Sequence, residues 1–273
     1  MFNSPDQQCL EQLHKGHDDA VSLARSLTAG ACERVSYCPD WTVAEVFSHL
    51  GSGAEIGLAI LDSALRQQPG PDPAPIWERW NSLPPPAMVS EFIETNTRYL
   101  DALDRVAAID DSALRLPFHN VQIDFATHLV FRLTEQAIHT WDVRVGFQPE
   151  AEIDADAARV LVDTYPVSLM GGFTNPHVAG QIRPARILVH MVEPDRTMSI
   201  DVGENVEIHR GTIKDAVYSA RISLPTPGAW VRLWCAGRLD PAHTPGRVSS
   251  VGRPDQTRLH SPDRTLTRAD QVR

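Results

Sequence analysis

The chain has 273 residues, enough for one large or two modest domains with a real apolar core. Its 35 acidic against 25 basic residues leave a net charge of −10, which argues against nonspecific binding to nucleic acid or to an anionic membrane. No apolar run approaches the ~20 residues of a membrane span, and the N-terminus lacks a signal-peptide core.

Residues 5–28 repeat apolar positions at Leu10, Leu13, Ala20, Val21, Ala24 and Leu27, a helical period with His17 inside the stripe. A histidine there reads as a core residue with its hydrogen bonds satisfied. Pro39 and Asp40 then mark a turn, and Thr42 with Glu45 three residues on forms a capping box for a second helix. Val43, Val46, Phe47, Leu50, Leu58, Leu61 and Leu65 carry that helix inward until Pro69. His49 falls among its inward positions, beside Gly51 and Gly53, whose small size leaves room for a partner helix or a ligand. Residues 69–86 form a proline-rich connection holding Trp77, Arg79 and Trp80, read as a packed loop that lines a pocket or plugs the core. A third helix is expected over 87–107, from Met88, Phe92, Ile93, Tyr99, Leu100 and Leu103.

The fourth helix, Asp124 to Val145, carries the densest chemistry. Asp124 suits its N-cap and Gly146 its C-terminal end. Glu135 and His139 are four residues apart, so on a helix they share a face with Cβ atoms roughly 5–6 Å from each other. Asp142, three residues further, stays on that face and is placed to orient the imidazole. Such a pair is commonly just solvated. Here Leu129, Val130, Phe131, Leu133, Ala137, Ile138 and Val143 make the helix apolar nearly all round, which marks a buried helix whose polar groups need partners. A shared metal ion is one such partner, with a third ligand to be sought elsewhere.

Four long helices in residues 1–150 read as a four-helix bundle, the setting in which facing helices build metal sites. Residues 151–241 read as a second domain: a helix over 154–170, β-like runs at 187–192, 197–202, 206–209 and 218–224, and a short helix over 228–236. The expected class is α+β, with a small antiparallel sheet in the second domain. Residues 242–273 are poor in apolar side chains and read as a disordered tail. Cys9, Cys32, Cys38 and Cys235 have neither zinc-finger nor paired redox spacing and read as thiols in a reducing cytoplasm.

Three pieces stand together: CysProAspTrpThrValAlaGluValPheSerHisLeu on the second helix, GluGlnAlaIleHisThrTrpAspVal on the fourth, and a late TrpValArgLeuTrpCysAlaGlyArg. The chain resembles the mycothiol-dependent maleylpyruvate isomerase family of the DinB-like superfamily over residues 10–240. The resemblance implies a DinB-like helix bundle followed by a smaller, sterol-carrier-like α+β domain. It implies a divalent metal, usually zinc, held by His49, Glu135 and His139, and mycothiol as cosubstrate. It also implies a role for Arg238 in holding substrate or thiol, and Arg79 joins as a candidate from its place between two tryptophans.

Three protein ligands leave one position open, the mark of a catalytic zinc. A thiol bound there ionises, and its thiolate can attack an electrophilic small molecule. Addition, rotation and departure give cis–trans isomerisation, whereas displacement or epoxide opening gives S-transfer. Transfer is favoured, because isomerisation demands one narrow substrate. The alternatives are a metal-dependent hydrolase with Asp142 as base, and a non-enzymatic protein binding a metal and an apolar ligand. Neither a nucleic acid nor a membrane is expected as partner.

Overall fold

The structure, a computed structural model, describes residues 4–38, 40–109, 111–118, 121–166, 184–203, 205–236, 238 and 249–252. The fold is α+β. The chain divides into two compact units between Ala151 and Glu152.

The first unit is built on four long helices: α1 (Pro5–Ser26), α3 (Val43–Leu65), α5 (Pro85–Ile109) and α6 (Phe125–Val145). Two short helices, α2 (Ala29–Cys32) and α4 (Ala74–Asn81), and a hairpin of β1 (Leu116–Phe118) and β2 (Val121–Ile123), fill the connections. α3 packs against α5 and α6, and α1 against α5 and α6, which closes the bundle. The starts are set by local chemistry. The Thr42 hydroxyl accepts from Glu45 N at 3.2 Å while the Glu45 carboxylate accepts from Thr42 N at 2.8 Å, the reciprocal capping box. Asp124 caps α6 by accepting from Thr127 N at 2.8 Å. Ala20, Ala24, Val43, Val46, Phe47, Leu50, Phe92 and Val143 belong to one core cluster in the bundle.

The proline-rich connection is not a plain loop. Pro75 sits in the first turn of α4, where its missing N–H costs no hydrogen bond, and the helix delivers Trp80 into the core with no exposed surface. Gly51 on α3 makes that possible, since a Cβ there would overlap the Trp80 ring. Gly57 does the same for Tyr99, whose ring lies 2.6 Å from where its Cβ would stand. Gly51 and Gly57 thus admit aromatic side chains from α4 and α5.

The second unit holds α7 (Ala155–Thr164), strands β3 (Ala185–Met191), β4 (Arg196–Val202), β5 (Val206–Arg210) and β6 (Ala220–Leu224), helix α8 (Pro227–Ala236), and β7 (Ser249–Gly252). α7 ends earlier than expected, ahead of Pro166, and residues 167–170 lie outside the described ones. The sheet order is β5-β4-β3-β6-β7. It is mixed rather than antiparallel: β3 pairs with β6 in parallel. β5 runs the same way as β3, and residues 211–219 carry the chain across two strands before β6 begins. β3 is correspondingly buried along most of its length, as a central strand is. α8 packs against α7 and β6. Ser249–Gly252 falls in the stretch expected to be a disordered tail, yet it pairs antiparallel with β6. An open sheet edge accepts a short partner whose side chains need not be apolar, because the backbone supplies the bonds. The rest of 242–273 lies outside the described residues.

Candidate metal centre

His49 lies in the second turn of α3, and Glu135 and His139 face it from α6. Glu135 Oε2 is 2.9 Å from His49 Nε2 and 3.4 Å from His139 Nε2. The donor atoms of all three residues lie within 4.8 Å of one another. A tetrahedral zinc with bonds of about 2.0–2.2 Å holds its donors roughly 3.3–3.6 Å apart, so the observed spacings are close to what that ion needs. Two imidazole nitrogens and one carboxylate oxygen are also a donor set that suits it. The Glu135 side chain is 48% exposed, so the cluster opens to solvent on that side.

Asp142 stands behind His139. Its carboxylate, with no exposed surface, lies 2.9 Å from His139 Nδ1. A carboxylate only accepts, so Nδ1 carries the proton and Nε2 is the nitrogen turned toward Glu135 and His49. Desolvation pulls the His139 imidazolium down, but the hydrogen bonds to Asp142 and Glu135 outweigh it and raise its pKa to about 9. Desolvation lowers His49, only partly opposed by Glu135. For Glu135 desolvation acts upward, yet the hydrogen bonds to His139 and His49 hold the carboxyl well below its usual range. The cluster is therefore a carboxylate shared between two imidazoles, and a cation would replace protons on them.

The segment before α3 folds over this cluster. A bridge between Val35 and Thr42 closes it, Asp40 turns the chain at φ 63°, and the backbone N–H of Tyr37 donates to the Asp142 carbonyl at 3.1 Å. Pro39 lies outside the described residues. Trp41 is thereby laid across both histidines, 5.0 Å from the His49 ring and 6.0 Å, stacked, from the His139 ring. Cys38, buried, brings its sulfur within 4.8 Å of the His139 and Asp142 donor atoms. In the sequence Cys38 reads only as a thiol without zinc-finger or paired redox spacing, because spacing along the chain cannot show a contact made by a folded-back loop. The signal was there in part, because Cys38 and Trp41 stand in the same CysProAspTrp motif that leads to His49.

Polar groups that periodicity did not single out cross the bundle beside the cluster. Asn96, fully buried, lies 2.8 Å from His17 Nδ1, and the Arg132 Nη2 donates to Asn96 Oδ1 at 2.6 Å. His17 is completed by Thr97 at 3.1 Å, so it is the satisfied core histidine expected. His128 does not join the metal cluster; its Nε2 meets the Tyr99 hydroxyl at 2.5 Å. Arg79 is engaged by the carboxylates of Glu55 and Glu91 and lies 5.0 Å over the Trp80 ring. Arg238 belongs to the second unit, where its backbone N–H donates to the Arg232 carbonyl at 2.7 Å.

Residues 13–144, which include His49, Glu135, His139 and Asp142, match the family model described as the mycothiol maleylpyruvate isomerase N-terminal domain. The N-terminal unit belongs to that family. The mycothiol maleylpyruvate isomerase fold also extends past this domain in solved structures. A crystal structure of the mycothiol-dependent maleylpyruvate isomerase aligns with a TM-score of 0.62 at 15% identity, covering 90% of this chain and 93% of that one. A histidine-to-alanine variant of the isomerase aligns at 0.63 and 14%, with the same coverage. At such identities the likeness is one of fold. No curated protein matches the chain by sequence. No helix among the described residues is long and apolar enough to cross a membrane.

Proposed function

We propose that the chain is a thiol-dependent metalloenzyme, using a low-molecular-weight thiol of the mycothiol type against an electrophilic small molecule. The observation that carries this reading is the convergence of His49 Nε2, Glu135 Oε2 and His139 Nε2 on one point, with Asp142 fixing the outer nitrogen of His139. Bound there, a divalent cation, zinc by donor type, supplies a Lewis acid that favours thiolate over thiol in the position the protein leaves open. His49 and His139 hold that cation through neutral nitrogens, and Glu135 offsets part of its charge. Trp41 walls one side of the pair of imidazoles. Arg238 is proposed to hold substrate or thiol; its replacement by Ala should lower turnover with metal content intact. Arg79 is proposed for the same task, reached by exchanging one of its two carboxylate partners for an anionic substrate.

Both S-transfer and maleylpyruvate-isomerase-like cis–trans isomerisation fit this arrangement, and transfer is preferred because it admits many electrophiles. A hydrolase using Asp142 as base fits less well. That carboxylate is fully buried and committed to His139, which suits orienting an imidazole rather than taking a proton from water. Cytoplasmic residence is part of the proposal, since thiol chemistry of this kind needs a reduced pool.

Elemental analysis tests the centre. Wild-type protein and His128→Ala are expected to carry one divalent ion per chain, whereas His49→Ala and His139→Ala lose it. Full occupancy in either ligand variant would reduce the constellation to a buried polar cluster. Turnover that does not depend on added thiol would favour the hydrolase.

A further inference from the structure

Arg132 lies on α6 one turn before Glu135 and is only 7% exposed. Its Nη2 donates to the Leu50 carbonyl at 3.0 Å, next to His49 on α3, and to Asn96 Oδ1 at 2.6 Å on α5. Its guanidinium carbon is 5.3 Å from the Tyr99 ring centroid. Gly53, one turn past His49, leaves the space it occupies: a Cβ there would stand 3.2 Å from Nη1. Nε is buried with no hydrogen-bond partner. Among the described residues Arg132 forms no ion pair, and its bonded partners are a carbonyl and an amide, both neutral.

A guanidinium stays protonated even when buried, so an interior arginine without a carboxylate is a standing charge that something nearby must offset. The ionisable groups around it are His17 on α1, His49 on α3, Tyr99 on α5, and His128 and Glu135 on α6. Glu135 alone among these is an anion, and it is already shared by His49 and His139. Taking the metal reading above as given, the formal charges are two positive from the cation and one from Arg132, against one negative each from Glu135 and Asp142. One positive charge is left over. We infer that Arg132 is a specificity-determining residue of the open metal position, making that position select a monoanion, thiolate in the proposed chemistry, over a neutral ligand.

The inference rests on the metal reading, and the test separates the two. Cobalt-loaded wild-type protein is titrated with thiocyanate, a monoanion, and with imidazole, a neutral ligand, and followed by visible absorption. Arg132→Gln is expected to weaken thiocyanate about tenfold, equivalent to about 1.4 kcal/mol, with imidazole unchanged. Arg132→Lys keeps the charge and should restore most of the thiocyanate affinity. Asn96→Asp sets a carboxylate against the guanidinium without removing it and should reproduce the Gln result, so the test survives if Arg132→Gln does not fold. Unchanged thiocyanate affinity in both charge-altering variants, or equal loss for both ligands, would overturn the role of Arg132. Failure of wild-type protein to bind one cobalt per chain would overturn the metal reading itself.

Discussion

Asp142 and His139 are joined by a 2.9 Å contact between a carboxylate that has no exposed surface and the imidazole Nδ1. Because the carboxylate can only accept, this contact selects one tautomer and aims the other nitrogen at Glu135. Asp142→Ala is expected to weaken zinc binding about 10–100-fold while the three ligands stay in place. Competition against a chelating dye measures it. Unchanged affinity would mean that packing, not Asp142, orients the ring.

External thiol should coordinate directly. In cobalt-substituted protein, adding the thiol should produce a sulfur-to-metal charge-transfer band that an alcohol analogue does not. Since the Cys38 sulfur lies within 4.8 Å of His139 and Asp142 donor atoms, Cys38→Ser is the necessary control. The band should persist in that variant. Its disappearance would identify Cys38, not the added thiol, as the sulfur ligand.

Gly51→Ala should destabilise the first unit strongly. The added methyl meets the fully buried Trp80 ring, and overpacking of that kind typically costs about 1–3 kcal/mol. Urea unfolding followed by tryptophan fluorescence reads it. A stability equal to wild type would show that α4 shifts freely on α3.

Stability should fall on mild acidification through His128. Desolvation, and next the nearby Arg132 charge, lower its pKa to about 4, against 6.5 for the solvent-exposed ring of the unfolded chain. Above pH 6.5 the ring is neutral in both states and its contribution is fully present. As the pH falls from 6.5 toward 4 the unfolded chain takes up the proton and the folded one does not, which removes up to about 1.4 kcal/mol of stability per pH unit. His128→Gln should flatten the curve in that window, as measured by urea midpoints at pH 7, 6 and 5. Equal slopes in the two proteins would mean that the folded state accommodates a charged His128.

That His49, Glu135 and His139 come together was legible because a helix turns a four-residue spacing into a shared face and because the motif around His49 is distinctive. Apolar period placed α1, α3, α5 and α6 to within a few residues of their ends, and the caps read at Thr42 and Asp124 are present. What escaped the sequence lies in contacts between segments far apart. Arg132, Asn96 and His17 come from three helices, and each alone looks like an ordinary polar residue on an amphipathic stripe. Gly51 and Gly53 are read from the sequence as room for a partner helix or a ligand; the Trp80 ring fills the space at Gly51 and the Arg132 guanidinium that at Gly53. The parallel pairing of β3 with β6 was hidden for a similar reason: strand periodicity reports which face is buried, not which neighbour is beside it.

The His49–Glu135 contact joins residues 86 apart in the chain. Closing so long a loop is an entropic cost that local helix formation does not offset, so contacts of this kind form late in folding. On a ribosome, His49 emerges and can enter a helix well before Glu135 has been synthesised. The donor set therefore comes into being only with the docking of α6, and a cation captured there would act as a marker of completed folding. Slow, metal-sensitive gain of the last native signal during refolding would be its kinetic trace.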